Sequence, residues 1–314
     1  MHPDTRTRSV VAAAALLFLV APSGRAEAQQ AVGSFSRTLT VSGPVDLEVS
    51  SGSGRIEVRA GQAGRVEVSG RITSSNWGIF SSRSSAEEAV RRVEANPPVE
   101  QSGSRIRVGR VDDGWLRENV SISYTLVVPA DTTLVSKTGS GAHLIEGLRG
   151  TVTASSGSGA IHIRDAGGDV RASAGSGSIL AEMVGGSFTG RTGSGGIDVS
   201  QTGNGPVDAS ASSGSIHLTG VRGSLHASTS SGTLRVQGEQ TSDWRLSTSS
   251  GSVTIELAGK PAFSLDAHSS SGRIDTQYPV TVSGTIGRRE LRGSVNGGGP
   301  LLHVRTSSGG IRIR

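Results

Sequence analysis

Ser155-Ser156-Gly157-Ser158-Gly159-Ala160-Ile161-His162-Ile163 is one copy of a phrase that the chain keeps repeating. It returns as Ala174-Gly175-Ser176-Gly177-Ser178-Ile179, as Thr192-Gly193-Ser194-Gly195-Gly196-Ile197 and as Ser212-Ser213-Gly214-Ser215-Ile216. Two more copies follow, Ser230-Ser231-Gly232-Thr233-Leu234 and Ser249-Ser250-Gly251-Ser252-Val253. The apolar residue that closes the phrase recurs after 18, 18, 19, 18 and 19 residues. A fixed period of this length marks an architecture of stacked repeats.

Each period carries two short alternating runs, and alternation with Ile, Val and Leu predicts half-buried strands. One inward column starts from Ile161, Ile179, Ile197, Ile216, Leu234 and Val253. The other pairs a large residue with a small one: Val152 with Ala154, Val170 with Ala172, Phe188 with Gly190, Val207 with Ala209 and Leu225 with Ala227. Trp244 with Leu246 ends that series. The expectation is an all-β fold, a parallel β-solenoid (β-helix) with coils of about 18 residues, each burying its columns against the next. Gly157, Gly175, Gly193, Gly214, Gly232, Gly251, Gly272 and Gly309 are expected to line one corner, where a positive φ or the lack of a Cβ is needed. The hydroxyl residue before the glycine (Ser156, Thr192, Ser213, Ser231, Ser250) is expected to form a ladder bonded to the turn backbone.

Outside the repeats the order is as follows. Residues 1–28 read as a secretory leader: Arg6 and Arg8, an apolar run from Val10 to Val20, then the small-x-small site Ala26-Glu27-Ala28. Residues 29–137 read as a β-rich capping segment with one helix over 85–93. In that helix Ser85 is the expected cap, Glu88 its capping-box partner, and Ala86, Ala89, Val90 and Val93 its apolar face. Trp77, Ile79 and Phe80 are the apolar anchors of the loop before it. The solenoid itself is expected over 138–314, with Arg288-Arg289-Glu290-Leu291 an irregular insertion. Arg312 and Arg314 would then put charge on a terminal edge strand.

Composition narrows the function. The 314 residues include 46 glycines and few aromatics, 3%, so a thick core is excluded and a thin, stacked one is favoured. The net charge of +5 comes from interspersed acids and bases without a basic cluster or stacking aromatics, which argues against a nucleic-acid partner. There is no cysteine, hence no disulfide and no thiolate metal site. Outward residues of one strand run His162, Leu180, Asp198, His217, Arg235, Thr254; those of the other run Arg171, Thr189, Asp208, His226, Arg245, Asp266. Asp208 beside His226, amid many serines, is the nearest thing to a catalytic set. A rung-to-rung ion pair explains it as well, and the nucleophile-elbow pattern is missing. Asp112, Asp113 and Asp131 are scattered as turn residues are, and His162 and His217 lie three coils apart, too far to share a metal. No catalytic residue, metal site or cofactor is expected.

The order of parts resembles the bacterial family numbered DUF4097, which goes by the name "putative adhesin". The resemblance rests on the opening strand at Phe35, the helix from Ser85 to Val93 and Tyr124-Thr125-Leu126-Val127-Val128-Pro129. It continues through the Ser-Gly-x-Ile coils and the Gly-rich turn before Leu302-His303-Val304-Arg305-Thr306-Ser307-Ser308-Gly309. It implies an exported, repetitive β fold at the cell envelope and no catalytic residue. Partners are then expected among envelope polymers, cell surfaces or proteins, with self-association possible. Two rivals stay open: an envelope-stress or scaffold component that binds a membrane protein or peptide, and a carbohydrate-active β-helix enzyme.

Overall fold

The computed structural model describes residues 31–74, 83–282, 287 and 289–314. The leader, the anchors Trp77, Ile79 and Phe80, residues 283–286 and Arg288 of the expected insertion lie outside them. The chain begins with β1 (Ala31–Thr40), β2 (Asp46–Ser51), β3 (Ile56–Gly61) and β4 (Arg65–Ser74). Helix α1 (Arg83–Ala95), β5 (Val99–Ser102), β6 (Arg105–Val108), helix α2 (Gly114–Asn119) and β7 (Ser121–Pro129) follow. Then come seven two-strand coils: β8–β9 (Thr133–Thr138, His143–Glu146), β10–β11 (Val152–Ser156, Ile161–Ala166), β12–β13 (Val170–Ala174, Ile179–Val184), β14–β15 (Phe188–Thr192, Ile197–Gln201), β16–β17 (Val207–Ala211, Ile216–Val221), β18–β19 (Leu225–Thr229, Leu234–Gly238) and β20–β21 (Trp244–Thr248, Val253–Leu257). The end comprises β22–β23 (Phe263–Ser269, Ile274–Thr276), β24 (Thr281–Val282), β25 (Glu290–Val295) and β26–β27 (Leu301–Thr306, Ile311–Ile313).

These strands form two long sheets. Odd-numbered repeat strands from β9 to β21 build one of 13 strands, even-numbered ones from β8 to β20 one of 14. Every repeat pairing is parallel and begins in the register expected from the period, with a one-residue shift toward the end of β13–β15 and of β17–β19. Ile161 faces Ile179, then Ile197, Ile216, Leu234 and Val253; Val170 faces Phe188, then Val207, Leu225 and Trp244. All these residues are buried, in one core cluster that runs the length of the stack. At Gly190 an added Cβ would meet the Phe188 ring at 2.6 Å, so the small member of that pair makes room for the large one.

The corner entering the odd-numbered strands from β9 to β27 separates the eight glycines into two positions. Gly214, Gly232, Gly251, Gly272 and Gly309 stand two residues before the closing apolar residue; in the earlier coils that place belongs to Gly159, Gly177 and Gly195. Gly157, Gly175 and Gly193 stand four residues before it, where later coils carry Ser212, Ser230 and Ser249. None of them has a positive φ. What they need is room. A Cβ at Gly159 would lie 1.8 Å from the Gly141 carbonyl oxygen of the coil below, and one at Gly232 2.0 Å from that of Gly214.

The hydroxyl ladder holds its expected place at Ser156 and Thr192 and is displaced in the later coils. Ser213, Ser231 and Ser250 are exposed; the buried position is the last residue of the preceding strand, Ser156, Thr192, Thr229 and Thr248. Ser156 Oγ donates to the Gly141 carbonyl at 3.3 Å and accepts from the Gly159 N–H at 2.8 Å. Thr192 does the same with Gly177 and Gly195 at 3.0 and 3.1 Å. Each such hydroxyl clips two coils together, and Ser156 and Thr192 also satisfy a corner N–H, a contribution of about 1 kcal/mol. The opposite corner uses left-handed backbone instead: Gly147, Asp165, Met183 and Gly220 all have φ between 53 and 77°. Met183 is 44% exposed because this kink turns it away from the core.

The stack does not begin at residue 138 or end at its last strand. Coil β2–β3 lies in register beside β8–β9, with Ile56 facing His143 and Leu47 facing Leu134. Its other side carries β6 and β7. At the far end β26–β27, last in sequence, is inserted between β20–β21 and β22–β23. Arg312 and Arg314 therefore do not guard an edge: β27 is paired on both sides, and the short β23 is the outermost strand of its sheet. Glu290 belongs to an antiparallel strand, β25, that extends the other sheet against β22.

The first sheet is prolonged at the N-terminal end by antiparallel β4 and β1. Helix α1 packs against this pair, with Ala86, Ala89, Val90 and Val93 buried. It starts at Arg83, ahead of Ser85, and Glu88 pairs with Arg92 one turn on. A second helix escaped the sequence reading. Asp113 caps α2 by accepting from the Trp115 and Leu116 N–H groups, which is what that turn aspartate is for.

Candidate interaction faces

Because pairing is in register, outward residues of successive coils lie in rows at the strand spacing of about 4.8 Å. On the β9–β21 sheet one row reads Leu144, His162, Leu180, Asp198, His217, Arg235, Thr254, Arg312, Asp275. On the other sheet a row reads Thr153, Arg171, Thr189, Asp208, His226, Arg245, His303, Asp266, Arg292. Beside it runs a hydroxyl row, Ser155, Ser173, Arg191, Ser210, Ser228, Ser247, Arg305. Terminal coil β26–β27 thus inserts His303 between Arg245 and Asp266, which sequence order alone makes neighbours, and adds Arg312 after Thr254.

The rows differ in how far their charges are neutralised. Glu182 accepts from His162 Nε2 at 2.8 Å and from Arg164 at 3.0 and 3.1 Å, and the His162 bond, followed by Arg164, holds its carboxyl below the ordinary value. Asp169 is likewise lowered by the Ser187 backbone N–H at 2.9 Å. Asp198 lies 3.5 Å from His217 Nδ1. Asp208 and His226 are register neighbours, but the carboxylate turns to Arg191 at 3.9 Å, and among the described residues no ion pair joins it to His226. The sequence's nearest approach to a catalytic pair is not assembled.

The densest cluster is one that the sequence did not reveal, since it depends on where the last coil is inserted. Asp266 lies 3.3 Å from His303 Nδ1, 3.2 Å from Arg292 and 3.7 Å from Arg305. His303 Nε2 accepts from Arg305 Nε at 2.8 Å. Its Nδ1–H therefore points to Asp266, and both ring nitrogens are in use within the protein. This is a cross-coil clamp. It leaves no imidazole nitrogen for a substrate.

A second unforeseen histidine is buried. His143 stands where other coils carry Ile161 or Ile56, and Ser136 where they carry Ala154. Its Nε2 donates to the Ser155 carbonyl at 3.0 Å, so Nδ1 accepts from Ser136 Oγ at 2.9 Å. Burial pulls its pKa below the ordinary value. The signal was available: a His at a column position of the repeat.

One outward row borders a groove. His217, Arg235, Thr254 and Arg312 from the row, with Ser215, Thr233 and Ser252 from the neighbouring corner and the edges of Ile216 and Leu234, line a depression of about 420 Å³. Among the described residues no group of three or more His, Cys, Asp or Glu is placed to hold a metal.

Residues 115–314, from α2 to the last coil, match the family model described as Toastrack DUF4097. The chain belongs to the Toastrack DUF4097 family. The Toastrack match leaves β1 to β6 and α1 outside it, although β2–β3 and β6 are part of the same stack. Two solved structures are similar to this Toastrack chain. One is a "putative cell adhesion protein" from Clostridium sporogenes ATCC 15579, with 10% identity, a TM-score of 0.25, and coverage of 90% of this chain and 99% of the other. The second is a "putative adhesin" from Bacteroides fragilis NCTC 9343, with 9% identity, a TM-score of 0.32, and coverage of 90% and 97%. At such scores the likeness is weak. No curated protein matches the chain.

Proposed function

We propose that this Toastrack chain is an exported protein of the cell envelope or surface that works by binding, as an adhesin does, and not by catalysis. The observation that carries this reading is the set of in-register outward rows. They offer hydroxyl and charged groups at strand spacing along two flat faces, so a partner with its own repeat can be met at several coils at once. The leader expected over 1–28 supports export. Among the described residues no helix is long and apolar enough to cross a membrane. The rival in which α1 carries recognition of a membrane protein or peptide is less favoured, since its apolar face is already spent on β1 and β4. A glycan-cleaving enzyme would need a free acid and base, and the Asp266–His303 pair is consumed by Arg292 and Arg305.

The test is capture of the mature protein on envelope fractions from its own host. His217→Ala alone should leave capture nearly unchanged, because contact is spread over coils. Loss of capture from that single change would replace the distributed face by a discrete site. Turnover in a broad glycan-hydrolysis screen would revive the enzyme.

A further inference from the structure

The groove beside Arg235 and Arg312 differs from the rest of the outward surface in its charge. Elsewhere many guanidinium groups of the outer faces lean on carboxylates: Arg164 on Glu182, Arg191 on Asp208, Arg245 on Asp243, Arg292 and Arg305 on Asp266; Arg171 has no such pair among the described residues, but its row neighbours are Thr153 and Thr189, not a second arginine. Arg235 and Arg312 make no ion pair among the described residues, and no carboxylate is among the residues that line the groove. The nearest acids in the row flank the groove on either side. Asp198 is turned to His217, and Asp275 is the register neighbour of Arg312 on the far side. Thr254 separates the two arginines, so they stand two strand spacings apart, about 9.6 Å. Thr233 and Ser215, already hydrogen-bonded to each other at 3.0 Å, put hydroxyls along the same edge.

Two unpaired guanidinium groups at fixed spacing, with hydroxyls between and beside them, match a chain that carries acidic groups at intervals and hydroxyls in between. Guanidinium forks bind carboxylate and sulfate in two-pronged, charge-assisted contacts. No Phe, Tyr or Trp lines the groove, so it lacks the broad run of stacking rings that single-stranded nucleic acid uses. We propose that this groove is a binding subsite for a linear acidic polysaccharide, its carboxylate or sulfate groups held by Arg235 and Arg312 and its hydroxyls by the Ser and Thr of the corner. The proposal rests on the binding role argued above and names the ligand class for one part of the face. Because Arg312 belongs to the last coil, the subsite exists only when that coil is inserted.

Binding of the mature full-length protein would be measured to polygalacturonate, dextran sulfate, uncharged dextran and single-stranded DNA. An Arg235→Gln/Arg312→Gln variant would be compared with Arg171→Gln/Arg191→Gln, which removes the same charge from the other sheet. Thermal unfolding would confirm that both variants are folded. The expected result is binding to an acidic polysaccharide and not to dextran, weakened about tenfold in the groove variant and changed by no more than about twofold in the other. Which of the two acidic polymers binds tells carboxylate from sulfate. Equal loss in both variants would reduce the effect to net charge and overturn the subsite. So would tighter binding of DNA than of either polysaccharide, or no binding to either polysaccharide. If envelope capture persists while the groove variant behaves as wild type, the subsite fails and the broader binding role stands.

Discussion

The middle of this molecule and its two ends are made of the same coil but assembled by different rules. From β10 to β21 each coil rests on the one before it in sequence, and the contacts between these coils join strands one period apart. At both ends the order is broken: β2–β3 sits between β6–β7 and β8–β9, and β26–β27 between β20–β21 and β22–β23. A sequential stack ends on an exposed rung. Here the coils β2–β3 and β26–β27 are each paired on both sides, and three of the four outermost places go to strands turned back antiparallel, β1 against β4, β5 against β6 and β24 against β25, while β23, parallel to β27, takes the fourth. The lesson is that the repeat supplies interchangeable rungs, while the ends supply closure, and closure requires contacts that are distant in sequence.

The sharpest way to break this comparison is to remove the last coil. In a sequential stack, a chain ending at Gly299 would lose one rung. Here it opens a slot between β20–β21 and β22–β23. Hydrogen exchange should show β22 and β23 losing protection almost completely while coils from β10 to β19 keep theirs. If only the deleted rung were missed, the insertion would carry no weight.

Within the middle coils, Gly159→Ala should cost about 3 kcal/mol or more, because its Cβ would lie 1.8 Å from backbone and no side chain can move aside. Gly52→Ala, at the end coil where nothing lies within 4 Å, should stay within about 0.5 kcal/mol. Urea denaturation of the two variants checks both figures.

His143 gives the end of the regular stack an acid sensitivity that the all-Ile coils lack. Its folded-state pKa is lowered by burial, whereas the unfolded chain takes up a proton near 6.5. Stability is therefore fully present above about pH 6.5 and falls as the pH drops below it, since the unfolded state then binds more protons. A stability profile between pH 7.5 and 5, run at values of about that range, should flatten in a His143→Leu/Ser136→Ala variant. An unchanged slope would assign the sensitivity elsewhere.

The smallest expected effect would make the middle more uniform. Ala174 and Ala211 occupy the place where Ser156, Thr192, Thr229 and Thr248 clip neighbouring coils. Ala174→Ser should raise stability by about 1 kcal/mol, read as an upward shift in the denaturation midpoint. No shift would mean that the hydroxyl clip merely offsets its own desolvation.

Much of this was legible in the chain. The period and the alternation named the inward columns from Ile161 to Val253 and from Val170 to Trp244, because a side chain's face is set by its position in the strand. The glycine corner was legible as a corner. Its cause was not: a near-contact with the carbonyl of another coil has no counterpart in the glycine's own neighbours in sequence. The hydroxyl clips were placed two residues late in the later coils for the same reason, their partner being a coil away.

The sequence by itself determined the coil, its length, its two apolar columns and the direction each outward residue faces, since all of these follow from local alternation and a repeated turn. Only the tertiary structure decided which coil lies beside which at the ends. That choice brought His303 to Asp266, removed Arg312 from the edge and set it two rungs from Arg235. Rungs with the same Gly-x-Ile pattern are nearly equivalent partners for one another, and closing the apolar ends of the stack is what selects among them.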